Sequence, residues 1–353
     1  MTGLNQAWKV PTHPRPIVII GAGAIVRTAH LPAYKRLGFP IAGLFDIRRE
    51  VAAGTAAQFG VPRVFDSLDS ALSGGGRMNA VFDLALPGSA VLGVLQQLPE
   101  GSVVLMQKPM GETLSDARAI LRTCRDRRLI AALNFQLRFS PNILAVSDLI
   151  RRGALGEVVD IEVRLQVRQP WESWSFFRHA PRLELLYHSI HYLDTIRMLA
   201  GEPSGVYCRA VAHPLYPDFS DTRSSIILNY GNRLRCSLTL NHTHPYDWTH
   251  RVSMLKVEGT AGAVIAGMGV NLEYPAGRPD TLEVAVDRTW QNVPVRGSWF
   301  PEAFEGPMSN LQRFVSGEDS ALVSPVDDAI KTMAVVEACY DSSESGGTPI
   351  PRP

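Results

Sequence analysis

The chain has 353 residues, 45% hydrophobic and 20% charged, with a formal net charge of +1. That is ordinary for a globular protein with a large core, and too long for one typical domain. The near-neutral charge excludes a basic nucleic-acid footprint, and no stretch of 18 uninterrupted apolar residues offers a membrane span, so neither partner is expected.

Residues 1–16 carry Lys9, His13, Arg15 and three prolines without an apolar run, and read as a ragged lead-in rather than a signal peptide. Cys124, Cys208, Cys236 and Cys339 are far apart and match neither a disulfide framework nor metal-ligand spacing. A reducing compartment, the cytoplasm, is the expected location.

The first element is Ile17-Val18-Ile19-Ile20, running into Gly21-Ala22-Gly23. A strand, a tight turn and a helix start take that order. Gly21 lets the chain turn. Gly23 lets the backbone approach a pyrophosphate, whose charge would rest on the free N–H groups of the helix start, Ala24 and Ile25 included. Val26 stands where a third glycine would ease helix–strand packing.

A helix over 24–37 should stop at Gly38. Strand 41–46 then ends in Asp46, 23 residues after Gly23, where a ribose-binding carboxylate is expected. Asp46 favours NAD; Arg48 and Arg49 leave NADP as the alternative. Helix 49–59 ends at Gly60, Asp66-Ser67 opens a short helix, and Gly74-Gly75-Gly76 reads as a loop.

Strand 80–86 closes at Pro87, which would border the cofactor. Helix 89–98, strand 102–106, helix 113–127 and strand 130–134 follow. This alternation is that of a parallel sheet covered on both faces.

After residue 135 the pattern changes. A helix over 140–152 precedes strands at 158–168, 205–212, 222–230, 234–242 and 251–258. Ile161, Val163, Leu165 and Val167 alternate with Glu162, Arg164, Gln166 and Arg168, as in a half-buried strand. Asn229 to Asn232 suggests a hairpin turn. The expectation is a mostly antiparallel open sheet with helices on one face, interrupted by a helix over 184–200. Helices at 302–316 and 325–342 precede a frayed end at 343–353.

The fold class is therefore α/β plus α+β. Residues 1–135 form a dinucleotide-binding domain. Residues 136–353 form a substrate-binding and oligomerisation domain, with the C-terminal helix a candidate to pack back near the first.

Two places carry chemistry. Lys108, in Gln107-Lys108-Pro109, follows a strand at the sheet edge where ligands bind, and its ammonium could hydrogen-bond a substrate hydroxyl. The helix 184–200 holds Tyr187, His188, His191 and Asp194. His191 and Tyr187 share a face at i, i+4. A histidine can take a proton near neutral pH, as hydroxyl oxidation requires. Tyr187 could donate to a substrate oxygen, and Asp194 could bind a substrate hydroxyl or orient His191.

The bland reading makes these histidines satisfied core partners. Glu184, His188 and His191 could instead ligate a metal, but no second cluster is clearly paired with them, His242 and His244 being the only nearby candidates by composition, and no metal is expected. Trp171, Trp174, Phe176 and Phe177 crowd one loop and would line a pocket or an interface. Arg178, His179 and Arg182 follow, as a positive pocket or as solvated side chains.

Taken together these segments resemble the glucose–fructose oxidoreductase, myo-inositol dehydrogenase and rhizopine-catabolism (Gfo/Idh/MocA) oxidoreductases over nearly the whole chain. Gly21 to Val26 is similar to that family's glycine-rich turn. His30 and Pro32 resemble its helix start, Gln107-Lys108-Pro109 its Glu-Lys-Pro signature, and residues 134–141, which include Arg138, its crossing into the second domain. Tyr187-x-x-x-His191-x-x-Asp194 is similar to its Asp-x-x-x-His-x-x-Asp helix, and residues 324–347 to its C-terminal helix.

The resemblance implies an NAD(P)-dependent enzyme acting on a small polyhydroxylated substrate, a sugar, cyclitol or derivative, as a homodimer or homotetramer. It makes Lys108 and His191 catalytic; Tyr187 and Asp194 are expected beside them in the chemistry, and Arg138, Trp174, Tyr187 and His188 beside the substrate. Tyr187 stands where the family commonly has aspartate, Ser189 where it has glycine, and Gln107 where it has glutamate. Those departures motivate a second reading, a non-catalytic dinucleotide-binding sensor. A third is an NAD-using glycosidase or epimerase.

Overall fold

The structure, a computed structural model, describes residues 3–171, 175–178, 180–274 and 276–351. The chain forms two compact units. One holds Gln6–Pro141 and Gly297–Met333; the other holds Asn142–Arg296 with residues 3–5 and 334–351.

The first unit is built on a parallel sheet of β1 (Ile17–Ile20), β2 (Ile41–Phe45), β3 (Val81–Leu84), β4 (Val103–Gln107) and β5 (Ile130–Asn134), in the order β2-β1-β3-β4-β5. Every residue of β1, β3 and β4 is buried, as continuous Val/Ile/Leu runs require when both faces are covered. Val64 adds one parallel rung beside Leu44 of β2. With that rung counted as a third strand, the order becomes the 3-2-1-4-5-6 of dinucleotide-binding sheets.

Helices α1 (Leu31–Arg36), α2 (Arg49–Phe59), α3 (Leu68–Arg77), α4 (Gly88–Leu95) and α5 (Leu114–Asp126) connect the strands. Ser67 and Thr113 cap α3 and α5 through reciprocal bonds with Ser70 and Asp116, which satisfy N–H groups that a helix start leaves open.

The glycine run 74–76 is not a loop; it lies inside α3. A Cβ at Gly74 would stand 2.9 Å from the Phe65 ring, and one at Gly75 would stand 2.5 Å from Phe82. The glycines let the helix press onto two aromatic rings, and packing overrides their poor helix propensity.

The lead-in is anchored rather than ragged. Arg15 N–H donates to Gln312 Oε1 at 2.9 Å and Gln312 Nε2 donates back to Arg15 O at 3.0 Å, while Thr12 N–H and Oγ1 both donate to Glu318. Phe304, with Met308 and Leu311 of α8 (Glu305–Val315), joins the same buried cluster as Ile17, Ile19, Val81, Val103 and Leu105.

In the second unit, α6 (Pro141–Arg151) leads to an eight-stranded sheet. Its strands are β6 (Val158–Gln166), β7 (Gly205–Val211), β8 (Arg223–Asn229), β9 (Arg235–Asn241), β10 (Val252–Gly259), β11 (Gly262–Gly267), β12 (Thr281–Val286) and β13 (Thr289–Asn292). Their order is β13-β12-β11-β10-β6-β9-β8-β7, antiparallel throughout except for the parallel pair β6–β9. The period-2 pattern buries Ile226, Leu228, Leu238 and Leu240 and leaves Tyr207 and Ile227 exposed. The strands β11, β12 and β13 add to those read from the sequence.

Two helices belong with this sheet, α7 (Ile190–Ala200) and the part of the long α9 (Val326–Ser345) from residue 334 on. The chain end is corrected here as well. Residues 343–345 are helical, and the hydroxyls of Ser342 and Ser343 accept from Cys208 N–H and Ala210 N–H of β7, each at 2.9 Å. Cys208 and Cys339, distant in sequence, are hydrogen-bond neighbours, and that contact together with burial raises the Cys339 thiol well above its usual range. Among the described residues, no helix is long and apolar enough to cross a membrane.

Candidate active site

The glycine turn lies at the carboxyl end of β1, where the chain leaves for β2 on one side and β3 lies on the other. In such sheets ligands bind at this switch point. Gly21 has φ +102°, and a Cβ there would come within 2.4 Å of Ala85 O, so only glycine passes between the two strand ends.

A Cβ on Gly23 would meet nothing within 4 Å. That open space faces a helix start, Ala24 and Ile25, whose first N–H groups have no intrahelical acceptor. A bare backbone cradle with free donors fits a dinucleotide pyrophosphate. The helix continues as a π-helical turn, Val26–His30, before α1, and Val26 is fully buried.

Asp46 follows β2. Its Oδ2 accepts from Ala22 N–H at 2.8 Å and its Oδ1 from Arg48 N–H at 2.9 Å. The carboxylate therefore braces the turn, and its remaining lone pairs are available to a ribose hydroxyl. The Arg48 side chain stays exposed, with Nε 3.6 Å from Asp46 Oδ1. Pro87 caps the start of α4 just past β3, on the same sheet edge.

Lys108 follows β4 on that edge, with a cis peptide to Pro109. Burial pushes its ammonium down to about 8. Its N–H donates to Gln107 Oε1 at 2.8 Å. Behind it stands a buried polar group that joins Gln107 and His30 to Asp83 and Tyr34, two residues not among the candidates read from the sequence. Gln107 Nε2 is 3.2 Å from His30 Nε2, His30 Nδ1 is 2.7 Å from Asp83 Oδ2, and Tyr34 Oη donates to the same Asp83 oxygen at 2.9 Å. Burial and the Asp83 carboxylate hold the Tyr34 phenol well above its usual range. One sign was readable: an acid in the otherwise apolar run Ala80-Val-Phe-Asp-Leu-Ala-Leu86.

Arg138 is 5% exposed, and its guanidinium donates to Val323 O and to Asp328 Oδ2, both at 2.6 Å. It holds the entry to α9, from Val323 to Asp328, within its own unit.

The histidine helix belongs to the other unit. It opens with a π-helical turn, Leu185–Ser189, and passes into α7. Asp221 caps it: its carboxylate accepts from Leu183 N–H at 2.8 Å and Glu184 N–H at 3.2 Å. Burial raises that carboxyl above its ordinary value.

Glu184 is fully buried. It accepts from Ser189 Oγ at 2.6 Å and lies 2.5 Å from His242 Nδ1. His188 packs against Trp171 and His242, with ring centroids 4.5 and 4.6 Å away. The Tyr187 ring meets Phe177 edge to face at 4.8 Å, and Tyr187 is 8% exposed. Asp194 is 1% exposed, 3.8 Å from Arg197.

Of the aromatic loop, Trp171 and Phe177 are buried and Phe176 is half exposed; Trp174 and His179 lie outside the described residues. Arg178 pairs with Asp218, and Arg182 makes a two-pronged pair with Glu337. Among the described residues no group of three or more His, Cys, Asp or Glu side chains could hold a metal ion. His242, a candidate metal partner of Glu184 by composition, is instead its ion-pair neighbour, brought there by a strand end 58 residues downstream.

Residues 15–135 match the model of the oxidoreductase family with an NAD-binding Rossmann fold, and residues 143–265 match the GFO/IDH/MocA C-terminal domain. A D-apiose dehydrogenase from Paraburkholderia graminis is 25% identical over 94% of this chain and 88% of its own length. An oxidoreductase from Agrobacterium radiobacter, solved in complex with NAD+, L-tartaric acid and magnesium, superposes with a TM-score of 0.81 at 20% identity, covering 95% of this chain and 98% of that one. The WlbA dehydrogenase from Bordetella pertussis, solved with NADH and UDP-GlcNAcA, gives 0.75 at 19% identity, over 97% and 100%. With a glycine turn at the switch point, a lysine past β4 and both family domains matched in order, the chain belongs to the Gfo/Idh/MocA family of NAD(P)-dependent oxidoreductases.

Proposed function

We propose that the chain reversibly transfers a hydride between a carbinol carbon of a sugar, cyclitol or sugar derivative and a nicotinamide, with NAD preferred. The bound dinucleotide supplies the hydride acceptor. Lys108 orients the substrate oxygen and stabilises its developing negative charge, and His191 takes the hydroxyl proton. Tyr187 donates to a substrate oxygen in place of the family's aspartate. Asp194, buried beside Arg197, takes the orienting role toward His191 rather than a substrate hydroxyl.

The observation that carries this reading is Lys108 on the sheet edge that also holds the Gly21–Gly23 turn, with an ammonium that burial brings to about 8. Such a group reaches either protonation state near neutral pH. The D-apiose dehydrogenase relative supports a small polyhydroxylated substrate. We assign a homodimer or homotetramer formed through the second unit, and a cytoplasmic location in keeping with the free thiols.

The test is purified protein with NAD+ or NADP+ and a panel of D-apiose, myo-inositol, D-xylose and their acids, followed by absorbance of the reduced cofactor. Turnover of at least one member, lost in both Lys108→Ala and His191→Ala with NADH binding retained, is the expected result. Full activity in both variants, or no turnover across the panel, rejects it.

A further inference from the structure

We infer that Gln107 is a positioning residue for Lys108, acting through a buried chain of hydrogen bonds that ends on Asp83 and requires His30 as its neutral Nδ1–H tautomer. The role given to Lys108 rests on the function proposed above; the chain of bonds does not.

The argument is one of donors and acceptors. Gln107 Oε1 accepts the Lys108 main-chain N–H at 2.8 Å. An amide turned the other way would aim NH2 at that N–H, donor against donor. Gln107 Nε2 therefore faces His30 Nε2 at 3.2 Å as a donor, and that ring nitrogen must be an acceptor without a proton. The ring's one proton then sits on Nδ1 and is donated to Asp83 Oδ2 at 2.7 Å. Tyr34 Oη, a second donor to that oxygen, completes the anchor. His30, Tyr34 and Asp83 are fully buried and Gln107 is 7% exposed, so water offers no substitute partners.

Phe304 packs against the His30 ring, with centroids 5.2 Å apart and the planes tilted by 53°. Each bond fixes the next, and the last one fixes the backbone from which the Lys108 side chain departs.

The chain also accounts for glutamine where the family commonly has glutamate. A carboxylate at 107 would still accept from Lys108 N–H, but toward His30 it could only accept. His30 would then donate from both nitrogens, as an imidazolium between two carboxylates. Glutamine with neutral histidine and glutamate with imidazolium carry the same total charge, so the exchange moves one proton and leaves the buried charge balance unchanged. The amide also keeps a carboxylate out of the position adjoining Lys108.

The test needs no substrate at its core. Histidine-15N spectra of the wild-type protein, with His30 assigned through His30→Gln among the nine histidines, should show a protonated Nδ1 and a bare Nε2. Gln107→Glu should convert His30 to the doubly protonated form. Gln107→Leu, similar in size and without polar atoms, should speed exchange of the Lys108 amide by about tenfold or more. It should also lower kcat for whichever of D-apiose or myo-inositol the wild type oxidises, with the Kd for NADH unchanged within about twofold. A protonated Nε2 in the wild type overturns the inference, and so does an unchanged His30 spectrum in Gln107→Glu. The wild-type spectrum stands alone if a variant does not fold. Absence of turnover with intact spectra rejects the proposed function and leaves the chain of bonds standing.

Discussion

Ser189 Oγ donates to Glu184 Oε1 at 2.6 Å, and the two residues are five apart along one helix. Side chains five apart stack in a π-helical turn rather than an α-helical one, and Leu185–Ser189 is such a turn. Both residues are fully buried, and Glu184 also faces His242. Ser189→Ala removes the donor and leaves a buried carboxylate oxygen short of a partner, at a cost of about 1–3 kcal/mol. Denaturant melts should show that loss, with Ser189→Thr close to wild type. An Ala variant as stable as the wild type would mean that the pair does not hold the turn.

Gly21→Ala puts a methyl 2.4 Å from a backbone oxygen, on a residue with φ +102°. Neither strand end can yield without disturbing the sheet. A loss of about 2–4 kcal/mol is expected, with NADH affinity falling at least tenfold in whatever folds. Gly23→Ala, with open space around it, should fold normally and weaken NADH binding alone. Equal melting curves with unequal fluorescence titrations would separate the two glycines.

Lys108 makes stability depend on pH. In the folded chain its ammonium loses its proton at about 8, against an ordinary 10.5. Between those values the unfolded chain binds more protons, so stability rises with pH across that window. Below about pH 8 the buried charge costs the fold about 1–3 kcal/mol, a figure softened by partial exposure. Lys108→Met should therefore melt a few degrees higher than the wild type at pH 7, and the gain should vanish by about pH 10.5. A variant that melts lower at pH 7 would contradict the sign.

Asp46→Ala removes both the acceptor for a ribose hydroxyl and the brace on Ala22 N–H. The ratio of NAD to NADP affinity should fall, since a carboxylate there repels a 2′-phosphate. NAD affinity should fall too, because the turn loses its anchor. Titrations with both dinucleotides check this; an unchanged ratio would remove Asp46 from the ribose site.

Much of this was legible because its signals are local. Gly60 ends α2 in the left-handed region, Ser67 and Thr113 open α3 and α5 as caps, and Asp46 stands at the right distance from Gly23. Alternation placed Ile161, Val163 and Leu165 on the buried face of β6. What stayed hidden is made by strand order. Asp83 meets His30 across 53 residues and Gln107 meets it across 77, because β1, β3 and β4 are neighbours in the sheet. The glycines of α3 misled because what they serve is a ring on another element. Neither π-helical turn has a periodicity that a short window of sequence can display.

The serines at the end of α9 do one more thing. β7 is an outer strand of the eight-stranded sheet, and the outward N–H groups of Cys208 and Ala210 would otherwise be open to a strand from another molecule. Ser342 and Ser343 occupy them with hydroxyl oxygens, so the sheet cannot grow from that side. A chain cut before residue 342 would keep every strand and gain an adhesive margin. Aggregation on storage, more than any loss of melting temperature, would mark the difference.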